Sequence, residues 1–135
     1  MPRRSKYESH NNTQMTPTPI NLTNWCHGLP KVELHLHLEG AIPIPALWEL
    51  VQKYGGDPRV PDETALQQYV TFRDFPHFIE LWIWKNGFLR EYDDFEFFSA
   101  AVARSLRAEN IQYVEAFFSP SRFKQAGLDT GRMIE

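Results

Sequence analysis

From Leu29 onward, apolar and polar positions recur regularly enough to predict an order of elements. Val32, Leu34, Leu36 and Leu38 alternate with Glu33, His35, His37 and Glu39, a period of two that predicts a strand. Pro45 suits the first turn of a helix in which Leu47, Leu50, Val51 and Tyr54 share one face, until Gly55 and Gly56 stop it. Asp62 is placed to cap a short helix over Ala65, Leu66 and Tyr69. Pro76 opens another helix, with Phe78, Ile79 and Trp82 on one stripe. Asp93 or Asp94 is expected to cap a longer amphipathic helix that carries Phe95, Phe98, Val102 and Leu106 on one face. Residues 111–118, IQYVEAFF, predict a second strand stopped by Ser119-Pro120, with Glu115 expected in an ion pair at the edge of the core. The closing GLDTGRMIE offers Asp129 or Thr130 as the cap of a further helix.

The texture before that point is different. Residues 1–27 are rich in Asn, Thr, Pro and Ser with little apolar periodicity, which predicts a flexible N-terminal extension ahead of a folded part over residues 28–135. The order strand, helices, strand makes the fold class α/β. A parallel sheet needs helices over both faces and more than two strands to bury them. Two strands with aromatic-rich helices are therefore expected to be part of a larger, truncated fold.

Composition removes several classes of function. The chain is 42% hydrophobic and 14% aromatic, too apolar for a disordered protein. A net charge of −3 gives no basic footprint for nucleic acid. No run reaches about 18 uninterrupted apolar residues, so no membrane partner is expected. Cys26 is the sole cysteine, which excludes an internal disulfide framework. With no apolar leader at the N-terminus, the expected location is cytoplasmic.

The candidate chemistry begins in the first strand. Side chains at i and i+2 point the same way, so His35 and His37 share a face and their imidazoles can converge on one ion. The alternative for the pair on its own is two strand-surface histidines. Glu39 continues the same face toward the following loop, and Gly40 lets the backbone turn or approach a ligand closely. On residues alone, Phe78, Ile79 and Trp82 read first as core.

LPKVELHLHLEGAI resembles the opening strand of the adenosine deaminase family of metal-dependent amidohydrolases. The resemblance continues through ALWELVQKYGG, FRDFPHFIELW, FLREYDDF and IQYVEAFFSPSRF, over about residues 29–123. It implies a (β/α)8 barrel of which this chain carries the first two strands and the helices between them. It also implies that His35 and His37 are zinc ligands, that His37 and Glu39 line the substrate pocket, and that Phe78, Ile79 and Trp82 form a hydrophobic flap. The implied activity of the complete enzyme is zinc-dependent hydrolytic deamination of adenosine to inosine and ammonia. The remaining zinc ligands and the proton donor of that family lie in segments that have no counterpart here, so the chain alone is expected to be inactive. Glu39 departs from the aspartate usual in adenosine-specific members. This keeps adenine or another 6-aminopurine open as substrate, beside a non-catalytic fragment or small metal-binding module.

Overall fold

The computed structural model describes residues 21–134. The expected extension lies largely outside them, but its end carries a short helix, α1 (Leu22–Gly28). Asn21 caps it by accepting from the Asn24 amide at 3.2 Å, and none of its residues is buried. Strand β1 (Lys31–His37) follows, and the chain then tightens into a 3-10 turn over Leu38–Gly40.

Three helices come next as the patterning predicts: α2 (Ile44–Lys53), α3 (Glu63–Tyr69) and α4 (Phe75–Asn86). Gly55 and Gly56 end the first with φ of 91° and 79°, values that residues with a Cβ rarely adopt. Asp62 caps α3 through the Ala65 amide at 2.7 Å. Asp74 caps α4 through the His77 amide at 2.9 Å, with Pro76 in the first turn.

Helix α5 (Tyr92–Ala108) starts earlier than expected. Glu91, not Asp93 or Asp94, is its N-cap. Asp94 sits three residues on and reaches back to the Arg90 and Glu91 amides at 2.8 and 2.9 Å. Strand β2 (Ile111–Phe117) then pairs parallel with β1, setting Lys31 beside Ile111 and His37 beside Phe117. A 3-10 segment over Pro120–Ala126 follows. The helix expected from Asp129 is a series of turns, although Asp129 does accept from the Arg132 amide at 3.0 Å.

The core lies among the helices. Leu47, Leu50 and Val51 of α2 meet Leu66 of α3 and Phe98 and Val102 of α5, all within one cluster of buried residues. Asp94 ties the same layer together by accepting from Lys53 at 2.6 Å and Tyr54 at 2.5 Å. Burial pushes the Asp94 carboxyl up, but Lys53, Tyr54 and the two amides outweigh it and leave it below the ordinary range. Glu115 makes no ion pair among the described residues. It is exposed and accepts from the Tyr113 hydroxyl at 3.0 Å, because no cation of a neighbouring element reaches that part of β2. Among the described residues, no helix is long and apolar enough to cross a membrane.

Candidate metal and substrate site at the strand ends

The carboxyl ends of β1 and β2 and the helix α4 bring the candidate residues together. In a parallel α/β fold this end of the sheet is where side chains and loops gather around a ligand. His35 and His37 project from the same face of β1, and their Nε2 atoms stand 3.2 Å apart. Two nitrogens on one tetrahedral zinc are about 3.3–3.4 Å apart, given metal–nitrogen distances of about 2.0–2.1 Å. At such a distance either one ring donates to the other or both lone pairs face a shared cation. Among the described residues no group of three or more His, Cys, Asp and Glu side chains could hold a metal, so the pair is at most half of a tetrahedral set.

Aromatic rings frame the pair. Phe117, in register with His37, has its centroid 4.4 Å from that of His35 and 5.8 Å from that of His37. Trp82 of α4 meets His37 edge-on at 5.7 Å and 90°. The glycine at position 40 has a specific cause. A Cβ there would lie 2.9 Å from Cζ3 of Trp82, so only glycine lets the indole lie against the strand end.

Glu39 is not placed as the alternation suggests. The strand stops at His37, and the 3-10 turn carries Glu39 inward until it is 0% exposed. Its Oε1 accepts from the Ser119 amide at 2.8 Å, while Oε2 is buried without a partner among the described residues. A buried carboxylate oxygen left unpaired is costly and marks a place where a donor belongs. Across from it, Lys85 of α4 donates to the Gly40 carbonyl at 3.0 Å. Burial pulls the Lys85 amine down to about 8, against the opposing pull of the Glu39 charge.

A cavity of about 240 Å³ adjoins the turn. Phe78 and Trp82 line it together with Gly40 and Lys85, and Ile42, Leu47 and Phe72 close its apolar side. Ile79 is not among its lining residues and is exposed. His35, His37 and Glu39 do not line this cavity, and Trp82, which meets both His37 and Phe78, is what joins it to the histidine pair. Sequence reading missed Lys85, Phe117 and Ser119. Phe117 and Ser119 had a signal, since both fall at the carboxyl end of the second strand. Lys85 had none, because its partner is 45 residues away.

A family model described as adenosine deaminase matches residues 30–135. The aminodeoxyfutalosine deaminase of Streptomyces coelicolor is 32% identical over 118 residues, which is 87% of this chain and 30% of that protein. The adenine deaminase of Vibrio parahaemolyticus is 31% identical over 102 residues, or 76% of this chain and 30% of that one. The chain spans about a third of the length of these relatives. Among solved structures, the adenine deaminase of Arthrobacter aurescens superposes with a TM-score of 0.65 at 24% identity, covering 75% of this chain and 31% of its own. The N6-methyl-AMP deaminase of Arabidopsis thaliana gives 0.64 at 22%, covering 82% and 32%. These two likenesses bear on the fold. The parallel strand pair and its intervening helices are the opening part of an α/β barrel. With four-fifths of its length under one family model, the chain belongs to the adenosine deaminase family.

Proposed function

We propose that this chain is the N-terminal part of a zinc-dependent hydrolase that deaminates a 6-aminopurine, with adenosine going to inosine and ammonia. Residues 28–135 are its barrel portion and residues 1–27 an extension. His35 and His37 are two of the zinc ligands, and the observation that carries this is the 3.2 Å between their Nε2 atoms. Bound there, zinc would supply a water whose pKa falls to about 7, nucleophilic at neutral pH.

The chain's own residues do the rest of what this portion can do. Phe117 and Trp82 pack beside the exposed imidazoles and orient their rings. Glu39 is held by the Ser119 amide, and its Oε2, buried and without a partner among the described residues, is the acceptor we assign to a substrate N–H or O–H. Phe78 and Trp82 offer aromatic surface to a purine, with Ile79 beside them on α4. Completion of the ligand set and the proton donor falls to the remainder of the barrel, so the chain alone is expected to turn over nothing. The lone Cys26 and the acidic balance suit a cytoplasmic enzyme of small-molecule metabolism.

A second reading, free adenine as substrate, is favoured by Glu39 and by the adenine deaminases among the relatives. One comparison separates the two. In the complete enzyme, adenosine and adenine are each followed by absorbance, before and after Glu39→Gln. For an adenosine enzyme, the variant should lose about 1.5–3 kcal/mol of nucleoside kcat/KM, the worth of a charged hydrogen bond, and much less with adenine. Equal losses would remove the ribose contact, and turnover of adenine alone would install the second reading.

A further inference from the structure

Among the described residues, Lys85 is the one cation on the wall of an otherwise apolar cavity, and its neighbours are the parts of the site that most need fixing. Its Nζ donates to the Gly40 carbonyl at 3.0 Å, in the turn that carries Glu39 inward. The same ammonium lies 5.3 Å from the centroid of the Trp82 ring. Trp82 in turn lies against Gly40 and meets His37 edge-on. A lysine has three donors, and one protein hydrogen bond accounts for only one of them. Glu39 meanwhile has a buried oxygen with no partner among the described residues.

We infer that Lys85 is a positioning residue for the substrate pocket: it holds the Gly40 turn, seats α4 against the histidine pair, and sets positive charge beside Glu39 without occupying its free oxygen. A hydrogen bond from Lys85 to Glu39 would close the acceptor to any ligand. A neutral residue would remove this opposing charge from beside a buried carboxylate, which is costly. Bonding the adjacent carbonyl avoids both outcomes. The ligand class this serves is a neutral purine that presents N–H or O–H donors, so the inference deepens the reading of the site as a purine pocket and rests on it.

The test uses the complete enzyme with Lys85→Met, which keeps the stem and removes the charge, and Lys85→Arg, which keeps the charge. Zinc content and melting temperature should stay at the parent level in both variants. The KM of Lys85→Met should rise about tenfold with kcat within about threefold of the parent, and arginine should recover part of the loss. Combined with Glu39→Gln, Lys85→Met should add little further, since the two act on one acceptor. The Kd of the purine for metal-free protein, measured by calorimetry, should follow the same pattern and does not depend on turnover. Parent-like KM and Kd in Lys85→Met, or full additivity with Glu39→Gln, would overturn the inference. So would a fall in melting temperature and zinc content that accounts for the loss, which would make Lys85 a purely structural residue. A parent that neither binds nor deaminates a purine would instead remove the proposed function itself.

Discussion

Phe98 and Leu34 are both large apolar side chains in regular elements, yet Phe98 is fully buried and Leu34 is 58% exposed. The contrast extends to their surroundings. Helices α2, α3 and α5 share a closed core in which Leu47, Val51, Leu66 and Val102 are almost without solvent. The strand pair instead leaves Val32 and Leu34 of β1 and Tyr113 and Phe117 of β2 exposed. A helical layer can satisfy itself locally through side chains a few turns apart. A parallel sheet cannot, because each strand needs neighbours at its edges and cover on both faces. The candidate site lies on the seam between the two regions. Its strand side carries the histidines, and its helix side carries Trp82 and Lys85.

The largest expected effect falls on the closed half. Phe98→Ala in the complete enzyme should cost about 3–5 kcal/mol, because the cavity lies among packed neighbours that relax only in part. Urea unfolding reads this as a lower midpoint at an unchanged slope. A loss below about 1 kcal/mol would mean that the helical core is not closed.

Next comes the polar tie within the same layer. Asp94→Ala should cost about 2–3 kcal/mol, through the lost capping-box bonds to the Arg90 and Glu91 amides and the unpaired Tyr54 donor. The sign of its pH dependence follows from the depressed carboxyl. A group whose native pKa lies below the unfolded value contributes stability above the unfolded pKa of about 3.9, and this is lost as pH falls through the native pKa. Between pH 7 and pH 5 the difference between wild type and variant should hold steady, and it should shrink below about pH 4. A difference that grows on acidification would contradict the assignment.

The smallest effect is expected on the exposed face of β1. Leu34→Thr in the chain of 135 residues should change stability by no more than about 0.5 kcal/mol, as surface substitutions do. In the complete enzyme, where barrel neighbours would cover that face, it should cost about 1.5–3 kcal/mol. Equal effects in both would mean that the strand pair is not awaiting cover.

The same contrast explains what the sequence disclosed. The alternation in β1, the glycine stop after α2 and the Asp62 cap are signals within a few residues, and each stands in the structure. The start of α5 did not read correctly, because Asp93 and Asp94 are both good cap residues. What selects Glu91 is the pull of Lys53 and Tyr54 on Asp94 from about 40 residues away. Glu39 failed for a related reason. Period two carried it onto the strand face, whereas the Ser119 amide, 80 residues on, draws it inward through a 3-10 turn. The histidine pair was legible because both members lie on one strand. Lys85 was not, because only the packing of α4 on the strand end brings it to Gly40.

The claim that His35 and His37 form half of a metal site is tested most directly by zinc content. The complete enzyme, purified from zinc-replete cells, is measured by elemental analysis beside His35→Ala and His37→Ala, with melting temperature as a check on folding. About one zinc per chain is expected in the parent and nearly none in either variant, with purine turnover lost in step. Variants that fold, keep a full zinc and still deaminate would contradict it.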